Sequence, residues 1–270
     1  MIRRSALAVL AVLLPLAAGA VELSGTPVQG ALLVGHAPPG ARVTLDGRAL
    51  AVDAATGAFV FGFGRDAGPA AELTVLHADG RREAVRLAVA RRDWRIERVD
   101  GLPPATVTPP PEVQARIARE SAELRAARAG ARAVADFLGG FAWPAVGRIS
   151  GVFGSQRILN GEPRAPHLGT DIAAPVGAPV VASAAGTVTL ATADFFYTGG
   201  TVVIDHGHGV TTVYAHLSEV AVRAGETVAR GGRIGAVGAT GRVSGPHLHW
   251  GLYWFATPLD PELVAGPPPG

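Results

Sequence analysis

The stretch SGPHLHWGLY, Ser244 to Tyr253, sets two imidazoles one residue apart inside an otherwise apolar run. In an extended segment alternate side chains share a face, so His247 and His249 point one way while Leu248 and Trp250 point the other, with the two rings roughly 6 to 7 Å apart at the backbone. Both could converge on one metal ion at about 2.0 to 2.1 Å with only a tilt. A second cluster lies upstream in PHLGTDIAAPVGAPV, where His167 and Asp171 stand four apart and Gly169 between them lets a loop fold both onto one point. A third histidine, His216, follows Tyr214 in the strand-like TTVYAHLSEV. A competing pair, His206 and His208 in VVIDHGHGV, is flanked by Gly207 and Gly209. That pattern reads as a hairpin turn, stabilised by His206 and exposing His208.

Two imidazoles and one carboxylate around Zn2+ leave a single net positive charge and an open fourth position, the arrangement that lowers the pKa of bound water to about 7. Hydrolysis also asks for groups that take the proton from that water and steady the oxyanion. Six of the eight histidines lie after Trp143, more than three ligand positions require. Spacing alone leaves both His247 and His249 open as ligands.

The elements that must position these residues follow from pattern. Residues 21–100 alternate apolar and polar in short segments, ALLVGHA, ARVTLDG, GAFVFGFG, AELTVLHADG and EAVRLAVA, each closed by Gly, Pro or Asp-Gly. This is the punctuation of a small antiparallel β-sandwich, with His36 and His77 as solvated loop residues. Residues 101–138 begin with the proline-rich GLPPATVTPPP, a stiff connector. They continue as a helix from Glu112 to about Leu138, whose thin stripe of Val113, Ile117, Leu124, Ala131, Val134 and Leu138 calls for a neighbouring surface rather than a coiled coil. From 139 to 265 glycine-punctuated strands return. The fold class expected is therefore mainly β: an N-terminal sandwich, a helical linker and a C-terminal antiparallel sheet.

The opening MIRRSALAVLAVLLPLAAGA has a basic start, an apolar run and a small-x-small ending at Ala18-Gly19-Ala20, the layout of a secretory signal peptide over residues 1–20. The run is short for a bilayer and contains Pro15, so no membrane span is expected after its removal. The chain has no cysteine, which excludes disulfides and a lipid-modified cysteine. Setting Arg3 and Arg4 aside leaves the basic side chains matched with the 22 acidic ones, and a near-neutral chain gives no basis for nucleic-acid binding.

Trp143 to Pro261, about 120 of the 270 residues, resembles the M23 family of zinc metallopeptidases, the lysostaphin-like or LytM-type peptidoglycan endopeptidases. The resemblance rests on GRISGVFG, HLGTDIAAPVGAPVVASAAGTV, GGTVVIDHGHGVTTVYAHL, VRAGETVARGGRIGAVGATGRVSGPHLHWGLY and LDP, in that order. It implies a C-terminal catalytic domain of the lysostaphin-like type, with one Zn2+ held by His167, Asp171 and His249. It also implies that His216 and His247 work on the water and the tetrahedral intermediate, and that Tyr197 in ATADFFYTGG is a groove contact. The implied substrate is peptidoglycan, in a periplasmic or secreted setting, with a regulatory envelope protein as a candidate partner. Two other readings are a catalytically silent wall-binding or amidase-activating relative, and a metal-sequestering module. The first usually lacks ligands, and the second needs no glycine-spaced strands. The N-terminal elements are expected to cover part of the groove.

Overall fold

Alternating residues after Val21 form β1 (Glu22–Ser24), β2 (Leu32–His36), β3 (Arg42–Leu45), β4 (Arg48–Leu50), β5 (Ala58–Gly62), β6 (Ala70–Leu76) and β7 (Arg82–Ala88). They pair antiparallel in two sheets, ordered β1-β2-β5 and β4-β3-β6-β7. Period-two alternation decides the faces: Ala71, Leu73 and Val75 of β6 are buried, while the residues between them are partly or fully exposed. The apolar cluster beneath does not close on itself. Phe59 and Phe61 pack in one core with Phe137, Val210, Leu252, Trp254 and Leu259 from later in the chain. This is a computed structural model describing residues 21–100 and 111–269; the leader read at 1–20 and the connector read at 101–110 lie outside the described residues.

Beyond the sandwich come β8 (Ile96–Val99) and α1 (Pro111–Ala127). They are followed by β9 (Arg148–Gly151), β10 (Gln156–Leu159), β11 (Glu162–Pro163), β12 (Thr170–Ala173), β13 (Pro179–Val181) and β14 (Gly186–Phe195). The chain continues with β15 (Gly199–Asp205), β16 (Val210–Val220), β17 (Thr227–Val228), β18 (Arg233–Val237), β19 (Leu248–Trp254), β20 (Thr257–Leu259) and α2 (Glu262–Ala265). Ten of these strands form an antiparallel sheet whose main path is β17-β14-β15-β16-β19-β12-β9. The β10–β11 hairpin is joined in parallel by β8. Among the described residues, no helix is long and apolar enough to cross a membrane.

The helix expected to reach Leu138 ends at Ala127. The chain leaves it so that Phe137 and Phe141 can enter the shared core, which buries far more apolar surface than another turn of alanine-rich helix would. On α1 the stripe does find a surface: Leu124 and Ala127 pack against Leu190, Phe195 and Tyr253. The sandwich meets the sheet at the Trp254 end of β19, opposite the end that carries His249.

Two histidine expectations change. His77 is buried rather than solvated, 3.3 Å from Glu83 and 3.1 Å from Arg81. His208 is buried too, because the segment after α1 lies over it: the Arg132 carbonyl accepts its backbone N–H, and Phe137 sits with ring centroids 5.5 Å away. His206 is wholly internal, with Nδ1 2.6 Å from the Ala185 carbonyl oxygen and Nε2 2.7 Å from the Thr212 hydroxyl.

Candidate metal centre

β19 runs between β12 and β16, and its register builds the site. His249 stands opposite Asp171 on one side and Ala215 on the other, and residues directly opposite share a face. Alternation sends Leu248 and Trp250 to the other face, where both are fully buried. His167 comes from the loop before β12. Its backbone N–H donates to the Ser155 carbonyl, and its Nδ1 lies 3.1 Å from the Val152 carbonyl oxygen. With the Nδ1 proton given to that carbonyl, Nε2 is left bare and aimed at Asp171.

The three candidate ligands converge. His167 Nε2 is 3.0 Å from Asp171 Oδ1 and 3.0 Å from His249 Nδ1, and His249 Nδ1 is 2.8 Å from the same Oδ1. Three lone-pair atoms this close repel unless positive charge lies between them, and a divalent cation satisfies all three together. The donor set fits a metal ion. Backbone glycines make room: a Cβ on Gly169 would fall 2.5 Å from the Trp250 carbonyl and 2.7 Å from the His249 ring. One on Gly151 would fall 2.5 Å from Asp171 Oδ2. Burial works against ionisation of Asp171, yet its contacts with His167 and His249 hold its carboxyl far below the ordinary carboxylate range. Burial also lowers the pKa of His249, which keeps the ring neutral and able to ligate.

His216 reaches the site through an irregularity. Tyr214 pairs with Val202 and Leu217 with Gly200, so β16 carries one residue more than β15 between those pairs. His216, in the extra residue's neighbourhood, adopts a left-handed φ of 66°. Regular alternation would send it to the core face with the buried Tyr214; the bulge turns it toward His249 instead, with ring centroids 6.2 Å apart. Its Nδ1 lies 2.9 Å from the Thr240 carbonyl oxygen, which leaves Nε2 for the site. Burial, then the neighbouring His249, pushes the ring down to about 3. His247 stacks beside it at 4.7 Å between centroids, with Nδ1 2.9 Å from the Gly245 carbonyl oxygen and Nε2 3.8 Å from Asp171 Oδ1. All five residues singled out by sequence therefore meet at one place. His206 and His208 do not join them.

Tyr197 occupies the loop after β14, with the guanidinium of Arg242 over its ring at 4.1 Å. That loop is held from two sides, one of them a residue, Glu120, that carried no signal in the sequence. The carboxylate of Glu120 on α1 accepts the Phe196 N–H at 2.7 Å, and the Thr198 carbonyl accepts the His216 N–H at 2.8 Å. On the other wall, Arg157 of β10 comes within 3.5 Å of Asp171 Oδ2. Nothing in local pattern marks Glu120 or Arg157 as belonging to this site, since both reach it from other elements.

Three donor atoms that could hold a metal ion, beside two further imidazoles and carried on an antiparallel sheet, are the kind of site a metallopeptidase has. Residues 165–261 match Peptidase family M23. The chain is 46% identical over 114 residues to the peptidoglycan DD-endopeptidase ShyA of Vibrio cholerae, covering 42% of this chain and 26% of that one. It is 37% identical over 168 residues to the cell division protein DipM of Caulobacter vibrioides, covering 58% and 26%. A crystal structure of an M23 peptidase from Pseudomonas aeruginosa superposes with a TM-score of 0.64 at 32% identity, covering 88% of this chain and 94% of the other. The match thus spans about a quarter of the length of these two curated relatives but nearly all of that structure. This chain belongs to peptidase family M23.

Proposed function

We propose that this chain is a zinc-dependent endopeptidase that hydrolyses peptide cross-links of bacterial peptidoglycan in remodelling of the producer's own wall. His167, Asp171 and His249 would hold the metal. The observation that carries this reading is the meeting of three donor atoms, each about 3 Å from the next, with two further imidazoles beside them: His247 Nε2 is 3.8 Å from Asp171 Oδ1, and the His216 ring centroid is 4.7 Å from that of His247. When bound, Zn2+ supplies Lewis acidity and lowers the pKa of water at its open position to about 7.

The chain's own residues do the proton work. His216 and His247 each give Nδ1–H to a backbone carbonyl, which orients the ring and leaves Nε2 as an acceptor. The Nε2 atom that takes the proton of the attacking water becomes an N–H donor beside the oxyanion of the tetrahedral carbon, and can return the proton to the leaving amine. Desolvation of His216 favours its neutral form, so its Nε2 lone pair is unprotonated at neutral pH.

The name of the relative ShyA, a peptidoglycan DD-endopeptidase, supports a cell-wall substrate, and the leader-like opening supports export to the periplasm. A silent wall-binding or amidase-activating role is disfavoured by the complete set of donors and imidazoles. The test is incubation of the purified chain with cross-linked peptidoglycan, with and without a chelator, while released muropeptides and zinc content are measured. Chelator-sensitive loss of cross-linked dimers is expected. Intact cross-links in the presence of one bound zinc would overturn catalysis and favour the silent reading.

A further inference from the structure

Beside the metal triad lies a cationic feature that ligation and proton transfer leave unused. Arg157 and Arg164 face each other across the β10–β11 hairpin: the Arg157 carbonyl accepts the Arg164 N–H at 2.8 Å, one step beyond the Ile158–Pro163 pair. Like charges opposite one another in a strand pair are destabilising unless carboxylates nearby offset them. Arg157 shows which way the pair looks, since its guanidinium is 3.5 Å from Asp171 Oδ2.

A third guanidinium comes from the opposite wall. Arg242 follows Gly241 at φ 73° and donates its backbone N–H to the Tyr197 carbonyl at 2.9 Å. Its guanidinium carbon lies over the Tyr197 ring, 4.1 Å from the centroid. Two residues earlier the Thr240 carbonyl lies 2.9 Å from His216 Nδ1, so Arg242 stands on the His216 side of the centre while Arg157 stands on the Asp171 side. The counter-charges are incomplete. Glu97 lies 3.6 Å from Arg157 and Glu162 3.6 Å from Arg164, and Nε of Arg164 is buried with no partner. Among the described residues no carboxylate pairs with Arg242. Asp171, the remaining anion, is committed to the triad.

We propose that Arg157, Arg164 and Arg242 form a subsite for a free carboxylate of the peptide substrate, so that the enzyme selects cross-linked peptides with an unmodified carboxylate near the scissile bond over their amidated counterparts. This rests on the hydrolase reading for its catalytic meaning, but the binding it requires does not need turnover. A guanidinium placed over an aromatic ring can still offer N–H groups to a carboxylate, which arginine binds through two parallel hydrogen bonds. The same chemistry could come from the C-terminal α-carboxylate or from a side-chain carboxylate of the stem.

The test uses the zinc-loaded chain and three labelled stem tetrapeptides: the free acid, the C-terminal amide and the side-chain amide. Equilibrium binding is measured for wild type, Arg242→Gln and Arg242→Lys, with cleavage of cross-linked dimers followed in parallel. One amide is expected to bind wild type about tenfold more weakly than the acid, and that amide names the carboxylate recognised. The preference should vanish in Arg242→Gln and survive in part in Arg242→Lys. Equal binding of all three peptides, no binding of any, or an acid preference that persists in Arg242→Gln would overturn the subsite. An Arg242-dependent preference without chelator-sensitive cleavage would keep the subsite and refute the hydrolase reading.

Discussion

The Glu120 carboxylate on α1 accepts the backbone N–H of Phe196, two residues before the carbonyl that holds His216. A helix outside the matched family region thereby sets the loop that positions a site imidazole. Its other oxygen binds Arg116, which in turn reaches the carbonyl and carboxylate of Asp194.

Replacing Glu120 with alanine should lower kcat about tenfold, the scale of one hydrogen bond to a charged group, while zinc content stays the same. Glu120→Gln keeps an oxygen acceptor and should retain more of the rate. A lower melting temperature with an unchanged kcat would confine Glu120 to anchoring the helix.

His167→Ala and Asp171→Asn should each lose bound zinc and turnover together, read by metal analysis beside the cleavage assay. His247→Ala should keep about one zinc per chain. If that variant came out metal-free instead, His247 would be a ligand and the assignment within His247-Leu248-His249 would be reversed.

His216→Ala should retain zinc and lose about 10²- to 10⁴-fold in rate, the usual contribution of a positioned acid–base group. A variant with full activity would remove His216 from the proton path.

Gly169→Ala places a methyl group against the Trp250 carbonyl and the His249 ring, pushing β12 from β19. Zinc affinity should fall about 10- to 100-fold, as for other groups that support a ligand. Competition with a chelator of known affinity measures it, and an unaltered affinity would show that the strands absorb the methyl group.

His206 makes stability depend on pH. Burial lowers its pKa from 6.5 to about 4. Between those values the unfolded chain binds a proton that the folded chain does not, so stability falls as pH drops from 6.5 toward 4 and is unaffected by this group above 6.5. The full loss is about 3 kcal/mol. Denaturant titrations from about pH 7.5 down to 4 should show a flatter decline in His206→Gln than in wild type; parallel declines would contradict this role.

Much of the site was legible because β-strand alternation is a local rule. Once residues 248–254 are extended, His247 and His249 must share a face opposite Leu248 and Trp250, and a glycine between His167 and Asp171 marks a close approach. The sequence resemblance added the division of roles, which spacing left open. What alternation could not convey was His216: by parity it belongs with Tyr214 in the core, and only the bulge created by mismatched pairing with β15 turns it into the site. Nor could pattern show that the helix would stop at Ala127, that His77 and His208 would be covered, or that Glu120, Arg157 and Arg242 would gather around the metal centre from separate elements. The sequence by itself determined the strand-rich composition and the ligand types, because those depend on neighbours along the chain. Tertiary structure decided which of those side chains face one another, because pairing register, bulges and burial depend on neighbours across it.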